Sequence, residues 1–225
     1  MPPSQPQSLK VEQIENMGDI LAFPSKSPLK SVPSKKGNSP NKGHKETGRT
    51  REYLTISEMD TLLAAAKKSD RNGSRNYMIC LLVYRHGLRV SEAADLRWSD
   101  VDFASGTMLV RRLKGSKDST QPVSGDEIRG LRKLQREQKD SPFIFTNSQG
   151  SPMASTAIAS MVKRLGEGLF SFPVHVHMLR HACGYYLANK GIDTRTIQDY
   201  LGHRSIANTE RYTALAAGKF KGLWD

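Results

Sequence analysis

Four separated segments of this 225-residue chain carry side chains suited to attack on a phosphodiester: Arg89, Lys114, the run His177-Met-Leu-Arg180-His181, and His203 with Tyr212. A tyrosine hydroxyl has a pKa of about 10, so at neutral pH it attacks only as it gives up its proton. Negative charge then builds on the non-bridging phosphate oxygens, where guanidiniums can clamp it with paired, directional hydrogen bonds. The departing oxygen needs a proton, which a positioned lysine can deliver as general acid. Each segment alone is a weak signal, because a single tyrosine near a C-terminus is usually packed or half exposed. Their order along the chain, and the nine-residue step from His203 to Tyr212, are what raise the specificity.

The elements that must position these groups read as mainly α with a small antiparallel β-sheet. Thr55-Ile-Ser-Glu58 has the form of a capping box ahead of a helix carrying Leu62, Leu63 and Ala66. A second helix runs through Tyr77–Tyr84 to Gly87, and a short third occupies about Ser91–Leu96, just after Arg89. Met108–Leu113 and Thr120–Val123 form a hairpin with Lys114 at its turn. A helix near Asp126–Gln138, a brief strand at Phe143–Phe145 and a helix near Ser155–Leu165 follow. His177–Lys190 is one helix ended by Gly191, Asp193 caps the next through Leu201, Gly202 ends that one, and a last helical pair surrounds Tyr212 and Phe220.

The ordered domain is expected over Tyr53–Asp225, preceded by a mostly disordered basic tail, Met1–Glu52, rich in Pro, Ser and Lys. Within the tail, Val11–Leu21 has the spacing of a short amphipathic helix. A formal net charge of +12 makes an anionic polymer or an anionic membrane surface the natural partner, and charge alone does not choose between them. No apolar run approaches the roughly 20 residues of a membrane span, and the N-terminus lacks a secretory pattern, so a cytoplasmic location is expected. The two cysteines, Cys80 and Cys183, lie inside apolar helical patterns and read as buried thiols.

Taken together, the segments resemble the phage-integrase or tyrosine-recombinase family. Tyr84-Arg-His-Gly-Leu-Arg89-Val-Ser-Glu92 is similar to the family's first arginine box, and Leu113-Lys114-Gly-Ser-Lys117 to its hairpin lysine. His177-Met-Leu-Arg180-His181, Leu201-Gly202-His203 and Thr209-Glu-Arg-Tyr212 follow the C-terminal pattern closely. The stretch from His177 to Trp224 especially resembles the short recombinases that invert fimbrial promoters, and the resemblance covers about Leu54–Trp224. It implies a site-specific recombinase acting on double-stranded DNA. Tyr212 would be the nucleophile, Arg89 and Arg180 the phosphate clamp, Lys114 the general acid with Lys117 as rival, and His177 and His203 donors to phosphate or acceptors of the tyrosine proton. Glu92, three residues after Arg89 on a helix, would orient that guanidinium. The chemistry requires no metal and no cofactor. The resemblance further implies a homotetramer on paired sites at the bacterial nucleoid, with accessory DNA-bending proteins as possible helpers.

Competing readings attach to several of these residues. His175, His177 and His181 have a spacing that suggests zinc, but no carboxylate or further cysteine accompanies them, and His181 is expected to pack or cap. Arg85 reads as an ordinary helix-end arginine. About fifty polar residues cannot form the separate N-terminal helical domain with which many family members close a clamp on DNA; the basic tail is expected to wrap the duplex instead. The apolar residues after Tyr212, Leu215, Phe220, Leu223 and Trp224, need cover, either by packing back on their own subunit or, as the resemblance implies and as is favoured here, by docking into a neighbouring protomer. The alternatives for the whole chain are a non-catalytic DNA-binding regulator with the same fold and a relaxase of the type IB topoisomerase kind.

Overall fold

Thr55 caps the first helix as the sequence predicts. Its amide donates to Glu58 Oε2 at 2.8 Å while its hydroxyl accepts from the Glu58 amide, and helix α1 (Ile56–Lys68) follows with Met59, Leu62 and Ala66 buried at i, i+3 and i+7. The computed structural model describes residues 51–69, 72–112, 116–138 and 140–214, all within one compact unit. The basic tail with its Val11–Leu21 segment, Lys114 and the residues after Ala214 lie outside the described residues.

Helix α2 (Gly73–Arg85) buries every residue from Met78 to Val83, and α6 (Val176–Asn189) buries most of Val176–Tyr185. Helices apolar all round belong at the centre, and these two pack together there. Around them stand α3 (Val90–Ala94), α4 (Gly125–Glu137) and α5 (Ser155–Gly166), each turning one face inward. Ser124 and Glu127 begin α4 with a second capping box, missed in the sequence pattern. Helices α7 (Thr194–Leu201) and α8 (Ala207–Ala214) close a smaller core of Cys183, Tyr185, Ala188, Ile197, Leu201 and Tyr212. Asp193 caps α7 by accepting from the Arg195 and Thr196 amides, and Gly202 ends it at φ +64°, as read from the sequence. A Cβ at Gly202 would stand 2.9 Å from the Arg112 side chain, so the turn requires glycine for room as well as for conformation. Both cysteines are free and buried, as expected.

The sheet has three antiparallel strands in sequence order: β1 (Val101–Asp102), β2 (Thr107–Val110) and β3 (Ser119–Pro122). Met108 faces Gln121 and Val110 faces Ser119. The hairpin was legible, but β1 was not, because two residues carry no periodicity. The strand expected at Phe143–Phe145 is not one. Phe143 makes an isolated bridge to Arg97, while the Ile144 amide donates to Leu96 and the Phe145 carbonyl accepts from Met153. Ile144 and Phe145 are fully buried, so the apolar run is core packing without a ladder.

Candidate active site

The carboxylate of Glu92 is the organising anion. Lying on α3, it accepts from the Arg89 amide at 2.9 Å, from Arg89 Nη1 at 2.5 Å and from Arg112 Nη1 at 2.8 Å, with Arg180 Nη1 4.0 Å away. Burial works to raise its pKa, but the Arg89 amide and the charges of Arg112 and Arg89 prevail and hold it below the usual glutamate value. The orientation of Arg89 by Glu92 expected from their spacing is therefore present, and a third guanidinium joins them.

Backbone carbonyls fix the three arginines. Arg89 Nη2 donates to Gly202 O at 3.1 Å. Arg180, 2% exposed, donates to the carbonyls of Gly87 and Leu201. Arg112, whose side chain is fully buried, donates to the carbonyls of Gly87, His86 and Tyr200. These acceptors lie at the ends of α2 and α7, so the arginines tie the first arginine box to the C-terminal boxes. Burial, then repulsion from Arg112 and Arg89, pushes Arg180 down to about 10, still a cation at neutral pH. Three guanidiniums around one carboxylate leave two uncompensated positive charges, an arrangement that favours an incoming anion.

The aromatic side of the site is built on α6 and α8. Tyr212, 1% exposed, hydrogen-bonds through its hydroxyl to His181 Nδ1 at 2.7 Å. Its ring meets Tyr185 edge-on at 5.0 Å and lies 6.1 Å from the His203 ring. Gly184 makes room for it, since a Cβ there would stand 2.6 Å from Tyr212 Cε2. Burial pushes the Tyr212 hydroxyl up to about 12, against the opposing pull of Arg180 and Arg211. His203 bonds through Nδ1 to Thr209 Oγ1 at 2.9 Å, and burial followed by the Arg180 and Arg89 charges brings it down to about 3. His177 is shifted down by burial and then Arg180, and its ring lies 4.5 Å from that of His181.

Thus Arg89, Glu92, Arg180, His177, His203 and Tyr212 share one site, whereas Lys114 lies outside the described residues. Lys117 lines an open groove of about 700 Å³ with Gln121, Arg195, Tyr200, His203 and Arg204. Arg85 pairs with Asp126 at 2.8 Å and stays outside the site, as an ordinary helix-end arginine would. Sequence reading missed two members. Arg112 had a signal, since strict alternation from Met108 through Val110 puts it on the buried face. His181 had one also, one helical turn from His177; it was expected to pack or cap, and instead it bonds to the Tyr212 hydroxyl. Among the described residues, no group of three or more His, Cys, Asp or Glu is placed to hold a metal, and no helix is long and apolar enough to cross a membrane.

The model of the phage integrase family matches residues 52–219. The type 1 fimbriae regulatory protein FimB of Escherichia coli K12 is 39% identical over 188 residues, covering 81% of this chain and 94% of FimB. The crystal structure of XerA recombinase superposes with a TM-score of 0.65 at 29% identity, covering 75% of this chain and 62% of that one. The XerH site-specific recombinase bound to its difH substrate, a pre-cleavage complex, gives 0.63 at 26% identity, covering 72% of this chain and 50% of that one. With the first arginine box and the C-terminal boxes joined through Glu92 and the carbonyls of Gly87, Leu201 and Gly202, and with that match spanning nearly all the described residues, the chain belongs to the phage integrase family, the tyrosine recombinases.

Proposed function

We infer that this chain is a site-specific recombinase that cuts and rejoins double-stranded DNA through a covalent phosphotyrosine at Tyr212. The observation that carries the reading is the excess positive charge of Arg89, Arg112 and Arg180 around Glu92, set beside the buried Tyr212 hydroxyl. A phosphodiester seated on Arg89 and Arg180 supplies the missing negative charge, and both donors strengthen as charge grows on the non-bridging oxygens. His177 and His203 complete the cradle. Lys114, which falls between β2 and β3 in the sequence, protonates the 5′ leaving oxygen, and Glu92 holds Arg89 in register. The Lys117, Arg195 and Arg204 groove runs beside His203 and suits the phosphate backbone of the flanking duplex.

Because Tyr212 is 1% exposed, the protein without DNA is a resting form whose hydroxyl must be uncovered before DNA can reach it. A neighbouring protomer engaging the segment after Ala214 is a natural trigger, which fits a homotetramer on paired sites, with DNA-bending proteins assisting the synapse. The catalytic domain spans residues 53–225, the tail 1–52 adds sequence-independent phosphate contacts, and the enzyme works at the cytoplasmic nucleoid. The test is a nicked suicide substrate, which traps the covalent adduct. Tyr212→Phe should form none and bind the same DNA with near wild-type affinity, because every phosphate-binding cation remains. An adduct with the Phe variant, or none with the wild type, would remove the assignment; the second result would favour a non-catalytic regulator. Formation of four-way junctions separates a recombinase from a relaxase.

A further inference from the structure

We propose that His181 is a further catalytic residue of this site, the base that takes the proton from Tyr212 as the hydroxyl attacks phosphorus. The proposal rests on the recombinase reading above. Its foundation is geometric: the hydroxyl of Tyr212 bonds to His181 Nδ1 at 2.7 Å, inside the reach of a general base. The two other histidines are placed differently. His203 commits Nδ1 to Thr209 Oγ1, and His177 lies edge-on against the His181 ring. His181 also follows Arg180 directly on α6, so base and clamp ride on one helix and keep their spacing.

With its proton on Nε2, the imidazole presents a lone pair at Nδ1, and the tyrosine hydroxyl donates to it. In the attack a Tyr212 oxygen lone pair forms the bond to phosphorus, the Tyr212 proton passes to Nδ1, the bond from phosphorus to the 5′ oxygen breaks, and that oxygen takes a proton from the lysine. Rejoining reverses each transfer, with the imidazolium returning its proton to the tyrosine oxygen. The groups facing His181 are His177 and Arg180 on α6, His203 beyond α7, and Arg211 and Tyr212 on α8. Burial comes first, and the positive members of this set add to it, in keeping the ring neutral and proton-free at Nδ1 in the absence of DNA. A phosphodiester arriving on the arginines offsets those charges and raises the basicity of the ring, so the base is armed by its own substrate.

His181→Asn tests this, since the amide occupies the place of Nδ1 and can still hydrogen-bond the tyrosine but cannot accept its proton. Single-turnover cleavage of the suicide substrate should fall by about 10²- to 10³-fold, with binding to a single site unchanged. The residual rate should climb with pH as hydroxide replaces the base. Added imidazole should restore part of the rate to His181→Ala, whereas a 5′-bridging sulfur should not rescue either variant. Wild-type cleavage by His181→Asn, or full rescue by the sulfur, overturns the proposal, the second result by placing the defect at the leaving group. Should His181→Asn fail to bind DNA, His181→Gln carries the same comparison. Absence of an adduct with the wild type would instead count against the recombinase reading, so the two failures are distinct.

Discussion

Replacing Arg112 by methionine should unfold the site from its centre. The arginine side chain is fully buried, bonds to Glu92 at 2.8 Å, and supplies donors to the carbonyls of Gly87, His86 and Tyr200. Methionine reproduces the aliphatic stem and none of the donors. Gly87 would keep Arg180 and Tyr200 would keep Gln121 Nε2 at 2.9 Å, but the His86 carbonyl loses its guanidinium donor and Glu92 loses its 2.8 Å bond to Arg112. Breaking a buried ion pair by removing one partner costs about 3–5 kcal/mol. For a domain of this size that corresponds to a fall in Tm of roughly 6–20 °C. The pH dependence gives a sharper check. Glu92 has a folded-state pKa below its ordinary value, so its stabilisation is present above the unfolded pKa and fades as pH falls through the folded one. Without Arg112 the folded-state pKa moves up, so the wild type should lead most at neutral pH and lose part of that lead below about pH 4.5. Denaturant melts at pH 7 and pH 4 measure both effects. A loss under about 1 kcal/mol, or one equal at the two pH values, would refute the central role given to this pair.

Arg89→Ala and Arg180→Ala should each slow cleavage of the suicide substrate by about two orders of magnitude or more, the effect of losing one positioned donor to a developing oxyanion; near-normal single-turnover rates would count against the clamp. Lys114→Ala should cleave ordinary DNA poorly and recover on a substrate with sulfur in place of the 5′ leaving oxygen, because a thiolate departs without a proton; rescue of Lys117→Ala alone would move the role to that lysine. Gly184→Ala forces a methyl toward the Tyr212 ring, so adduct formation should drop while single-site binding measured by gel shift holds; an unchanged adduct yield would show that the ring has room to spare.

Local chemistry was legible in the sequence. The capping box at Thr55, the Asp193 cap, the left-handed turn at Gly202 and the β2–β3 hairpin all arise from interactions among residues a few positions apart, which spacing alone specifies. The pairing of Arg89 with Glu92 is of this kind as well, at i,i+3 across the start of one short helix. Strand β1 and the run at Phe143–Phe145 were misread because two or three residues contain no period, and only their neighbours decide whether they pair or pack. The site depends on contacts between distant parts of the chain. Arg112 reads from sequence as a strand-end arginine, and it becomes the keystone of the site only because α2, α3 and α7 bring two carbonyls, a carboxylate and a third carbonyl around it from far along the chain. His181 and Tyr212 are 31 residues apart, and no pattern says that their side chains meet; the packing of α8 against α6, with Gly184 leaving the space, brings them to 2.7 Å. The order of residues determined which side chains share a helix face, and burial of the helices against one another decided which of them touch, because the apolar faces set the distances at which the polar groups must find partners.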